Sequence, residues 1–158
     1  MTNPYARYVE GEDPLRSLEE TARRIDGLVR SWPRERDEQS HAPGKWSARH
    51  VLVHLAQIEM VFSTRLRYAL TDDRYLVQPF EQDDWMAVET HGTATEALDA
   101  YIGLRRMNLA LCQSLTPHQR TRAFTHPEFG SVTVDWLITW CAGHERNHLP
   151  QIEAVARG

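Results

Sequence analysis

The chain is poor in the features that would staple, anchor or disorder it. Two cysteines, Cys112 and Cys141, in 158 residues are too few for a disulfide framework and fit a reducing compartment. No apolar run is long enough to cross a bilayer. The N-terminus MTNPYARYVEGEDP lacks the apolar stretch of a signal peptide, so a cytoplasmic protein is expected. Eighteen basic against twenty-two acidic side chains leave a net charge of −4. With no Lys/Arg cluster, that balance argues against a nucleic-acid surface. No internal repeat or low-complexity tract appears, and nothing alternates convincingly as a strand. The length suits one domain over residues 1–158, its core spanning about residues 13–157.

What is present is helical periodicity. Asp13-Pro14 reads as an N-cap and first helical residue. Leu15, Leu18, Ala22, Ile25 and Val29 then recur at steps of three and four, until SWPRERDEQSHAPGK stops the helix. Ser47 caps a second helix running to about Leu70, with Trp46 and Val51 placed for a hydrophobic staple. Thr93-x-x-Glu96 is a capping box that opens a third, ending near Leu115. Thr116-Pro117 can start a short helical turn, HPEFGSVT reads as a loop, and Thr133 caps a last helix from Val134 to about Ala156. Four long helices predict an all-α four-helix bundle. The connection from Thr71 to Gly92, about 22 residues, can span the ~35 Å of the second helix. It therefore predicts a crossover that leaves the second and third helices parallel. QPFEQDDWMAVE, inside this connection, is a candidate substrate lid.

The histidines follow the same periodicity. At ~100° per residue, Leu137, Cys141, His144, His148, Ile152 and Val155 share one stripe of the last helix. Val51, His54, Ile58 and Val61 share the equivalent stripe of the second. Several polar side chains in a bundle core require partners. His144 and His148 are one turn apart, the spacing at which two imidazoles grip one ion. With the two helices antiparallel, His54 lies ~24 Å from the end of its helix, against ~16 and ~22 Å from the start of the other. The levels nearly match, and the three histidines are candidate ligands for a divalent metal. His50, in the first turn, and His41, His91, His118 and His126, in loops or at helix ends, are expected at the surface.

His144-Glu145-Arg146-Asn147-His148 also spells the His-Glu-x-x-His of metalloproteases. The extended form of that motif requires Gly and His where Gln151 and Ala154 stand. Glu153 falls off the ligand stripe, and no upstream edge strand is evident. The protease reading fails, and the third ligand comes from upstream, at His54. With that step the sequence resembles the DinB/YfiT-like family of metalloenzymes. The resemblance runs from about Leu15 and rests on GKWSARHVLVHLAQIE, HPEFGSVTVDWL and AGHERNHLPQIE. It implies that the family's metal histidines fall at His54, His144 and His148. It also implies a four-helix bundle, often with crossover topology and often homodimeric, holding zinc or nickel with water in the open positions. The substrate it implies is a small molecule, in members of known activity mostly a low-molecular-weight thiol used in transfer or isomerisation.

Three neutral imidazoles leave an ion its full charge and an exchangeable position. The leading expectation is S-transfer from a small thiol, with hydrolysis second and a non-catalytic metal-binding or stress-related module as the competing reading. Glu145, about 80° from the centre of the histidine pair, is a candidate general base or partner of a ligand. Gln151, on the histidine side of the helix, can hydrogen-bond a ligand or a substrate. Glu59 points ~140° from His54 and is set aside, and Cys141 is expected as a core thiol. Arg65 and Arg105 interrupt apolar stripes and are expected in structural ion pairs. Pro150 removes a hydrogen bond from the last helix and is expected to kink it.

Overall fold

Side-chain caps start the long helices where local chemistry places them in a computed structural model that describes residues 2–89 and 92–158. His91 lies outside the described residues. Asp13 accepts from the backbone N–H of Leu15 at 2.8 Å, and helix α1 spans Pro14–Ser31. Ser47 caps α2, Ala48–Thr71. A short α3, Gln82–Val88, starts with Asp83 and Asp84 in its first turn, where acidic groups favour the positive end of the helix. It occupies the segment expected as a lid. The Thr93–Glu96 box is closed in both directions at α4, Ala94–Ser114. Thr116 and Gln119 close another at α5, Pro117–Arg120. Thr133 caps α6, Val134–Arg157, which remains helical through Pro150.

Pairs across the interfaces give the helix directions. Arg49 with Gly92, Glu59 with Arg105 and Arg67 with Asn108 rise together, so α2 and α4 run the same way. Arg24 pairs with Glu153 and, just ahead of α1, Glu12 with Arg146, so α1 and α6 also run together. His54 with His144 and Glu59 with Cys141 descend one helix while climbing the other, which makes α2 and α6 antiparallel.

One expectation is corrected. HPEFGSVT is not a plain loop: β1, Ala123–His126, pairs antiparallel with β2, Gly130–Thr133, in the register Phe124 opposite Val132. Gly130 turns the chain with φ +69°, a conformation glycine adopts without steric cost. Tyr75 and Val77 exchange backbone hydrogen bonds with Thr125 along the outer side of β1, tying the connection after α2 to the hairpin. Each strand has four residues, too few for a period of two to stand out.

A belt of polar side chains divides the apolar core. Phe62, Leu66, Leu137 and Ile138 pack in one cluster, and Ile25, Leu52, Leu98, Tyr101 and Ile152 in another. Between them lie His54, Glu59, Arg105, Asn108, His144, Glu145 and His148, all buried.

Candidate metal centre

The belt has two parts, and the histidines form one of them. His54 from α2 and His144 and His148 from α6 each bring one ring nitrogen within 4.8 Å of the others. The Nε2 atoms of His54 and His144 are 3.2 Å apart. Two nitrogens held about 2.0–2.1 Å from a shared ion would stand roughly 2.9–3.4 Å apart, between right-angle and tetrahedral geometry. The observed spacing falls inside that range.

Aromatic rings wall this cluster. Trp140 stacks on the His144 ring at 5.1 Å and Tyr5 meets it edge-on at 5.0 Å. Trp46 packs on His54 at 5.2 Å, and Phe80, at the mouth of the α3 segment, lies parallel to it at 6.3 Å. Water is largely excluded, and burial disfavours the charged imidazolium. Burial, helped by neighbouring His148, pulls the His54 pKa down to about 3. Burial and the two other histidines hold His144 well below its ordinary value, and burial lowers His148 too. The three rings are therefore neutral at pH 7, the state in which imidazole is a ligand.

Gln151 completes this group. Its Oε1 lies 3.1 Å from His148 Nδ1 and accepts that nitrogen's proton, which leaves the lone pair on Nε2. Among the described residues no partner reaches the buried Nδ1 atoms of His54 and His144, a cost of about 1–3 kcal/mol for each unmet polar group. The donor set, neutral and converging with lone pairs to spare, fits a divalent cation.

Glu145 is placed differently from its expected role as a base or ligand partner. It is buried, and its carboxyl is occupied by Arg105 and Tyr101. Arg105 Nη1 donates to Glu145 Oε2 at 2.9 Å, while its Nη2 also reaches Glu59. Asn108 donates to Glu59 Oε2 at 2.9 Å, and the Cys141 thiol leans on the same carboxylate at 3.6 Å. Burial, then the nearby Glu59 charge, pushes the Glu145 pKa well above the usual carboxylate range. One guanidinium thus serves two carboxyls. Cys141 is the core thiol expected, its pKa raised by burial.

Sequence reasoning missed Glu59 because it asked only which residues share the face of His54. The run VLVHLAQIE is buried at every position, and its apolar residues fall on more than one face, which signals a helix enclosed on more than one side. Arg105 forms the ion pair expected of it. Arg65 does not: it donates to the Gln78 carbonyl at 3.2 Å, and no ion pair reaches it among the described residues. His126 is also unlike its surface expectation. It is buried in β1, accepts at Nδ1 from the Glu128 N–H and packs on Phe129 and Trp136. His118 is exposed, and His41 and His50 are half-buried, with His50 bonded to Ser47.

Known proteins are similar to this chain over most of its length. A protein of Oceanobacillus iheyensis, provisionally named a metal-dependent hydrolase, is 26% identical over 90% of this chain and 84% of its own length. YfiT of Bacillus subtilis, with the same provisional name, is 24% identical over 90% of this chain and 82% of its own. The solved structure of YfiT, described as "a probable metal-dependent hydrolase with an unusual four-helix bundle topology", superposes with a TM-score of 0.81. At 22% identity it covers 91% of this chain and 84% of that one. The family model of the DinB superfamily matches residues 17–152, and the chain belongs to that superfamily.

Proposed function

We propose that this chain binds one divalent cation, zinc or nickel, through Nε2 of His54, His144 and His148, and uses it to activate a small nucleophile. The observation that carries this reading is the convergence of three buried, neutral imidazoles from two antiparallel helices on one point. A cation bound there supplies the Lewis-acid charge that makes a thiol or water nucleophilic near neutral pH. The protein's own part is positional. Gln151 fixes the His148 tautomer, Trp140 and Tyr5 hold the His144 ring, and Phe80 covers His54.

One hollow opens on the cluster at His148, and a second lies against the aromatic rings that wall it. The first, of about 300 Å³, has His148 and Gln151 in its wall beside Lys45, and the second, of about 590 Å³, runs past Tyr5, Phe80 and Trp140. Two neighbouring hollows favour transfer between two reactants, and the first reading is S-transfer from a low-molecular-weight thiol to an electrophile. Hydrolysis is the second reading, supported by the names its relatives carry.

Elemental analysis of untagged protein tests the site. About one zinc or nickel per chain is expected for the wild type and little for His54→Ala, as befits a site with three protein ligands. Metal content equal in the two proteins would overturn it. The metal-loaded protein is then offered small thiols with a generic electrophile, and separately a panel of esters. A metal-dependent rate with thiol alone supports transfer, and a rate with esters alone supports hydrolysis. Stoichiometric metal without either rate leaves a binding module and overturns the enzymatic part.

A further inference from the structure

A hollow lies on the outer side of the aromatic rings that wall the histidines, and it has a polar group of its own. Arg65 lies three turns beyond His54 on α2 and is only 8% exposed, yet it lines the same cavity as Tyr5 and Trp140, which touch the His144 ring. A buried guanidinium normally has an acidic partner, and Arg105 in this same fold has two. Among the described residues Arg65 has one carbonyl, that of Gln78. Burial lowers its pKa, and the Tyr75 phenol, not a carboxylate, works in the opposite direction. Apolar rings of Phe80, Phe129 and Trp140 line the same hollow.

We propose that Arg65 is the anchor for the anionic end of the substrate, and that the substrate of the histidine site is an elongated small-molecule monocarboxylate whose reacting end reaches His54, His144 and His148. Eleven residues of helix separate Arg65 from His54 by ~16 Å, so a molecule that serves both must be elongated. The volume, about 590 Å³, falls in the range of small-molecule sites, roughly 300–1,000 Å³. The charge favours one negative group over several. A single guanidinium faces the cavity with His126, which burial and Arg65 itself keep neutral, while Glu81 and Glu128 also line it. A phosphate dianion would meet those carboxylates with too little positive charge to offset them, whereas a carboxylate matches one planar guanidinium fork.

This inference names the substrate class of the proposed metal site, but its test does not depend on the metal. 4-Phenylbutyrate and its uncharged amide are titrated into metal-free and metal-loaded protein by calorimetry and ligand-observed NMR. The carboxylate is expected to bind about tenfold more tightly than the amide in both forms, the size of one charge-assisted hydrogen-bond pair. Arg65→Gln is expected to abolish that preference, and Arg65→Lys to restore part of it. Where Arg65→Gln does not fold, the wild-type protein decides: the Arg65 side-chain N–H resonance moves with carboxylate and not with amide. Equal binding of the two probes, a preference that survives Arg65→Gln, or a preference confined to the metal-loaded form would overturn the proposal. Loss of metal in His54→Ala with the preference intact separates this claim from the metal reading.

Discussion

Glu145 shows how far one residue's meaning depends on its neighbours. Its position in His-Glu-x-x-His suits a base, and its actual partners are Arg105 and Tyr101 inside the core. Burial and the Glu59 charge push its carboxyl toward the neutral form, of which an amide is a close mimic. Glu145→Gln is expected to change the unfolding free energy by no more than about 1 kcal/mol, the net worth of one neutral hydrogen bond. Arg105→Met removes the guanidinium that two carboxyls share, and breaking a buried pair in that way costs about 3–5 kcal/mol. Urea unfolding of the two variants checks both values. Equal, large losses would mean that Glu145 is ionised in the fold. The histidines were legible in the sequence because all three lie on apolar stripes, where a polar residue stands out. Glu145 and Glu59 were not, because a helical wheel drawn about the histidine face cannot say that α4 covers another face of both helices.

At the scale of elements, the parts that could be read were those coded by neighbouring residues. Asp13, Ser47, Thr93 and Thr133 each begin a helix with their own side chain, and each was visible as a cap. The hairpin was hidden because it depends on Tyr75 and Val77, nearly fifty positions away, to pair its outer edge. Tyr5 was hidden in the same way, although Gly143 gives a local sign of it. A glycine in mid-helix costs about 0.8–1.0 kcal/mol relative to alanine, so its presence marks a close approach. A Cβ at residue 143 would overlap the Tyr5 carbonyl oxygen and lie 2.8 Å from its carbonyl carbon. Gly143→Ala therefore sets a gain in helix propensity against displacement of the N-terminal segment. Overpacking typically costs about 1–3 kcal/mol, and net destabilisation is expected. The accompanying change is faster amide exchange in residues 3–9, since Tyr5 and the 3₁₀ turn Ala6–Val9 rest on α6. A stabilised variant with unchanged exchange would show that this segment is not held by α6.

For the whole molecule, the polar belt couples the fold to protons and to metal, and the two couplings have separable signs. In the unfolded chain each histidine titrates near 6.5, whereas in the fold His54 does so at about 3 and His144 and His148 are lowered as well. Above pH 6.5 neither state takes up protons at these sites, so they add no pH dependence. Below 6.5 the unfolded chain binds protons that the fold refuses, and stability falls progressively down to about pH 3. Metal acts on the folded state alone. At a free concentration of 100 times Kd it adds about 2.7 kcal/mol, or roughly 5–11 °C in a chain of this size. Because burial lowers the proton affinity of all three folded histidines, metal displaces fewer protons between pH 7.5 and 5 than it would from exposed imidazoles, and its affinity changes less there. Thermal melts across that range, with zinc and with chelator, should give two curves that decline together and keep more of their separation than exposed histidines would allow. Histidines that titrated normally in the fold would make the separation collapse by pH 5.5, with a flatter curve for the metal-free protein. That outcome would mean the cluster is open to water, and that its aromatic walls do not set its chemistry.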